Sequence, residues 1–121
     1  MTGWMQATVT AASRATLQTT LNSATVINEN KTITNTNVSG VSFPYTNVSW
    51  PTGTAYTVLT LNYYDNYSFP NAPSTFTVVE GQTVSYNNST KKPQGLATGS
   101  WVRVLTAPGA VDNENSYTLY D

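Results

Sequence analysis

The sequence contains no histidine and no cysteine, and charged residues make up only 9% of it, five basic and six acidic. Each shortage removes a class of chemistry. Without imidazole there is no Ser–His or Cys–His activation of a nucleophile and no imidazole metal ligand. Without a thiol, neither a disulfide framework nor a thiolate metal site can form. The basic residues are scattered and the net charge is −1, so no stripe exists to neutralise phosphates and nucleic acid is a poor partner. No basic amphipathic helix suggests a membrane surface, and the longest apolar runs are too short to cross a bilayer. The lack of cysteine leaves the compartment open, since many exported bacterial proteins have none.

What the chain has in abundance is hydroxyl and amide: Thr, Asn and Ser together exceed a third of it. Solubility therefore comes from uncharged polar groups, a composition common in bacterial secreted and surface proteins. The length suits one domain, expected as a single module over 1–121, burying roughly two-thirds of its unfolded surface without metal, cofactor or disulfide. Met1-Thr2-Gly3-Trp4 leads straight into strand-like sequence with no signal peptide, so the ends read as cut from something longer.

Along the chain, β patterns dominate. Residues 4–10 carry the alternating set Met5, Ala7, Val9 of a strand. Ser13 is a plausible N-cap for a helix to about Ala24, with Leu17, Leu21 and Ala24 on one face. That stripe predicts a helix lying on a sheet with both leucines buried. Residues 25–36 give one or two strands. Tyr56–Tyr64 reads as a central strand, apolar on both faces. Thr75–Val79, Trp101–Thr106 and Ser116–Tyr120 read as further strands. In the second of these, Trp101, Arg103 and Leu105 point one way and Val102 and Val104 the other. The stretches Phe43-Pro44-Tyr45, Trp50-Pro51-Thr52-Gly53, Ser68–Pro73 and Lys91–Gly95 read as loops, because proline fixes φ and withdraws a donor. Gly99-Ser100 reads as the end of a loop. The expected fold is α+β, mainly antiparallel sheet with one N-terminal helix; an all-β sandwich is the alternative.

The ending Tyr-Thr-Leu-Tyr-Asp resembles the start of a YD repeat, and Thr2-Gly3 resembles the residues that follow the Gly-Arg pair of such a repeat. Three stretches between them, Ser13–Gln18, Val58–Pro70 and Gly95–Leu105, resemble a segment of the Rhs/YD-repeat proteins of Bacteroidota. Tyr64-Asp65 departs from the repeat, being followed by Asn66-Tyr67-Ser68 and not by Gly-Arg, which points to a non-repeat segment lying between repeats. The resemblance implies a very large exported protein whose repeats wind into a β-shell able to enclose a C-terminal toxin. It also implies an extracellular or cell-surface location, with flanking YD repeats of the parent chain as partners.

Candidate sites are few. The acids are Glu29, Asp65, Glu80, Asp112, Glu114 and Asp121, and a glycosidase would need two of them facing across a cleft. Glu80 precedes Gly81 and suits a turn. Asp65, after two tyrosines, suits an Asx-type turn over Asn66-Tyr67-Ser68. Asp112-Asn113-Glu114-Asn115 offers oxygens of the kind Ca²⁺ takes, but its spacing matches no full loop motif, and a solvated turn is the simpler reading. Trp50, Tyr67 and Trp101 could make a sugar-stacking platform. Against that, Trp101 and Tyr63 or Tyr64 read as core, and Trp50 as cover for the core's rim. The function expected is a non-catalytic structural module of an Rhs/YD-repeat protein; the alternative is a carbohydrate-binding module of a surface protein.

Overall fold

A computed structural model describes residues 3–5, 10–50, 52, 56–76 and 78–121. The architecture is α+β, dominated by antiparallel sheet with one helix. In chain order the elements are β1 (Gly3–Met5), α1 (Ala11–Asn22), β2 (Lys31–Val38), β3 (Val41–Tyr45), β4 (Thr57–Tyr64), β5 (Val78–Val79), β6 (Gln82–Thr83), β7 (Ala97–Arg103) and β8 (Asn113–Tyr117). Where one module was expected, the chain divides into two compact units, Trp4–Val58 and Met1–Gly3 with Leu59–Asp121.

In the first unit, α1 departs from expectation at its start and along its face. The N-cap is Thr10, whose side chain accepts from the Ser13 backbone N–H at 3.1 Å, while the Thr10 N–H donates back to Ser13 Oγ at 2.7 Å. Ser13 is therefore the third helical residue of a capping box, not the cap. No helix residue is buried, and Leu21 is 42% exposed. Ala11, Ala15 and the threonines make too weak an apolar stripe to bury, so the expected packing of Leu17 and Leu21 does not occur. The threonines turn inward to their own helix instead, Thr16, Thr19 and Thr20 each donating to the carbonyl four residues back. The expected strand over 4–10 is present at Gly3–Met5, and residues 6–9 lie outside the described residues.

β2 and β3 form a two-stranded antiparallel sheet closed by Ser39-Gly40, with φ of 50° and 84°. Positive φ at both central residues is what a tight hairpin with right-handed twist demands, and glycine meets it without strain. The register runs Val38↔Val41, Asn37↔Ser42 and Thr36↔Phe43, then jumps to Lys31↔Tyr45. The jump leaves Thr32–Asn35 opposite the single residue Pro44. That proline was expected to stop a strand, yet it is buried inside β3. A residue without an N–H is tolerated in a sheet where the ladder is already broken by a bulge. The buried side chains of this unit are Val38, Val41, Phe43, Pro44 and Val58. Val26 and Ile27 lie outside any strand and are exposed, so the strand expected over 25–36 begins only at Lys31.

The second unit holds β7, β8 and most of β4, members of a sheet of order β1-β4-β7-β8. β4 and β7 pair as Leu61↔Trp101, Asn62↔Ser100 and Tyr63↔Gly99, and β7 and β8 as Gly99↔Tyr117, Trp101↔Asn115 and Arg103↔Asn113. Alternation holds in β7 as expected, with Trp101 and Arg103 buried and Val102 exposed; in β4, read as apolar on both faces, Val58, Leu61 and Tyr63 are buried and Tyr64 is exposed. The boundaries of β7 do not hold. It starts at Ala97, so Gly99 and Ser100 are strand and not loop, and it ends at Arg103, leaving Leu105 exposed. β8 likewise begins at Asn113, four residues or so before the hydrophobic cue at Tyr117, because pairing with β7 supplies hydrogen bonds that polar residues accept as readily as apolar ones. Of the strand expected over 75–79, Val78–Val79 is strand, Thr75 and Phe76 are not, and Thr77 lies outside the described residues; Glu80-Gly81, with φ of 50° and 79°, joins Val79 to β6.

Candidate functional site

The centre of the second unit is an aromatic stack raised over a glycine. Gly99 lies between Tyr63 on one side and Tyr117 on the other. Phe69, returning from the turn after β4, lies parallel to Tyr63, with ring centroids 4.1 Å apart and planes at 1°. It also faces Tyr117 at 6.2 Å. A Cβ on Gly99 would stand 2.9 Å from Phe69 Cζ and 2.8 Å from the Ser116 carbonyl oxygen. The glycine thus makes room for the ring, and the ring covers the hole in the sheet that glycine leaves.

Tyr67 and Trp101 belong to the same unit as this stack. Tyr67 is 3% exposed; its phenol donates to the Thr118 carbonyl at 3.0 Å, and its N–H donates to Asn88 Oδ1 at 2.7 Å. Burial, and then the neighbouring Tyr120, push its ionisation above the usual tyrosine value of 10.0. Trp101 is 7% exposed and directly opposite Leu61, with the Arg103 guanidinium carbon 5.7 Å from its ring centroid. The Arg103 Nη1 donates to the Ala110 carbonyl, so the cation holds the turn beyond β7 while lying over an indole. Neither ring offers an open face for a sugar. Trp50 belongs to the other unit and is half-buried. The three residues proposed for stacking are thus two core rings and one partly covered ring.

The acids are dispersed in three dimensions as in sequence. Asp65, at φ 71°, accepts from the Gly95 N–H at 2.7 Å through Oδ1. It therefore ties β4 to the loop thirty residues on, and the local Asx turn belongs to Asn66, which accepts from Ser68 N–H at 2.9 Å. Glu80 stands in the β5–β6 turn, as expected. Asp112 accepts from the Thr106 hydroxyl. Asn113 and Asn115 lie on one face of β8, joined side chain to side chain at 2.6 Å, with Glu114 between them on the strand. The solvated turn expected at 112–115 is strand from Asn113 onward, and alternation turns its oxygens to opposite faces. No group of three or more acids is assembled among the described residues.

Glu29 is the acid whose position sequence reasoning missed. Its carboxylate accepts from the Val48 N–H at 3.0 and 3.1 Å, the Ser49 N–H at 2.7 Å, the Ser49 hydroxyl at 2.6 Å and the Thr46 hydroxyl. Partial burial raises its pKa, but the hydrogen bonds from Ser49, Thr46 and Val48 outweigh it and hold the carboxyl below its ordinary 4.5. Nearby, Tyr56 donates to Asn47 Oδ1 at 2.8 Å, and burial followed by the charge of Glu29 raises its pKa. Nothing local announces this site, because donor and acceptor are 17–20 residues apart in the chain. No protein-family model, curated protein or solved structure matches the chain.

Proposed function

We propose that the chain is a non-catalytic structural module of a large secreted or cell-surface protein of the Rhs/YD-repeat type, adding strands to its β-rich shell. The observation that carries this reading is the use made of three of the acids and of the buried rings described above. Glu29, Asp65 and Asp112 each accept hydrogen bonds from the chain's own loops. Trp101 and Arg103 are buried side chains of β7, and Tyr67 is buried in the bend after β4. Groups spent on holding loops and filling a core are not poised for a substrate.

Two features of the fold support the same reading. The stretches that carry the resemblance, Val58–Pro70 and Gly95–Leu105, become β4 with its Phe69 turn and β7, the paired middle of the sheet. β8 forms a sheet edge whose residues, Asn113–Tyr117, include no lysine or proline to discourage another strand. In the parent protein a neighbouring repeat would pair there.

Thermal melts of wild type and Trp101→Ala, with a glycan-binding screen of both, test the proposal. A scaffold loses about 3–5 kcal/mol on that substitution, a large share of a small domain's stability, and neither protein binds glycans. An unchanged melting temperature with glycan binding lost would refute it. Sequencing of the parent gene supplies the second arm, Gly-Arg pairs being expected at both junctions of this segment.

A further inference from the structure

The unit Trp4–Val58 contains three charged residues, Arg14, Glu29 and Lys31. Of these, Glu29 alone changes charge between neutral and acidic pH, since lysine and arginine titrate far above it. The surroundings of its carboxylate make that consequential. All its partners in the segment Thr46–Ser49 are donors: the N–H groups of Val48 and Ser49 and the hydroxyls of Thr46 and Ser49. The Thr46 hydroxyl is already oriented, because its oxygen accepts from the Asn30 N–H at 2.9 Å and its hydrogen is left for Glu29.

A carboxylate only accepts; a protonated one carries an O–H that must itself find an acceptor. The hydroxyls could rotate to meet it, but two backbone N–H groups cannot. From this geometry we infer that Glu29 is an acid-released latch, holding the loop that leads to Trp50 as a carboxylate and letting it go when protonated. Other titratable groups facing this segment do not compete. Tyr56, hydrogen-bonded to Asn47 and with its pKa raised above 10.0, stays neutral through the acid range. The lowered pKa of Glu29 agrees with a latch closed at neutral pH.

The release is local, and one bond separates it from general unfolding. The Thr46 N–H donates to the Asn30 carbonyl at 2.8 Å and not to Glu29. The test is a titration of the full chain from neutral pH to about pH 3, following backbone amide resonances by NMR. The Val48 and Ser49 amides should shift together in one transition with its midpoint below 4.5, while the Thr46 amide holds its position. In Glu29→Gln both amides should sit at their acid positions throughout, with no transition. Should that variant fail to fold, Ser49→Ala keeps the carboxylate and removes one donor, and the midpoint should rise toward 4.5. A transition that persists in Glu29→Gln, moves all three amides together, or is unaltered by Ser49→Ala overturns the inference.

Discussion

At the scale of single residues, the sheet depends on one position with no side chain. Gly99 does not need glycine's conformational freedom; it needs the absence of a Cβ, because the Phe69 ring and the Ser116 carbonyl fill that space. Gly99→Ala should cost about 1–3 kcal/mol by forcing the ring or β8 outward. Urea unfolding measures this, and a cost below about 0.5 kcal/mol would mean that the ring moves aside freely. The sequence suggested a loop at Gly99-Ser100, since glycine beside serine ordinarily punctuates. The signal of a covered glycine, an aromatic thirty residues earlier in the chain, is long-range and carries no spacing rule.

At the scale of elements, the helix and the hairpin teach opposite lessons. The helix exists as expected because its residues form it locally, through the capping box and the back-bonded threonines. Its burial was misjudged because an i, i+4 leucine pair records only which face would pack, not whether anything covers it. Leu21→Ala should therefore cost under about 1 kcal/mol, far from the roughly 2–5 kcal/mol of a core leucine. Thr10→Ala should matter more, removing about 1 kcal/mol from the helix. An isolated helix of this length is marginal in water, so the loss should appear as faster amide exchange across Ala11–Asn22 with little change in the melt. Equal exchange in the two proteins would refute the capping role. The β2–β3 hairpin escaped notice in the sequence although Val-Ser-Gly-Val signals it, because Pro44 reads as a strand breaker until its bulge is seen.

At the scale of the whole molecule, stability should narrow from both ends of the pH range through named groups. Glu29 has a folded pKa below its unfolded value, so its contribution is present above its ordinary 4.5 and is lost as pH falls through the lower folded value. Tyr67 and Tyr56 have folded values raised above 10.0. Their contributions are complete below that value and are lost as pH rises through the folded values, when each phenol gives up the proton it donates to Thr118 or Asn47. Urea midpoints taken across pH should fall above about pH 10, and Tyr67→Phe should weaken that alkaline fall. An alkaline limb identical in wild type and Tyr67→Phe would exclude this tyrosine as its source.

The sequence by itself determined that imidazole and thiol groups are absent, the α+β class, the helix over most of its length and the burial of Trp101 against exposed Val102. These follow from residue type and from periods of 2 and 3.6, which are local properties of a chain. Tertiary structure alone decided that Phe69 would close the gap at Gly99, that Asp65 would reach Gly95, that Pro44 would fit a strand and that Glu29 would gather four donors from Thr46–Ser49. Each of these joins residues distant in the chain, where the free energy depends on what arrives opposite a group and not on the group itself. A buried ring, an absent N–H or a carboxylate becomes legible only once its partner's backbone is in place.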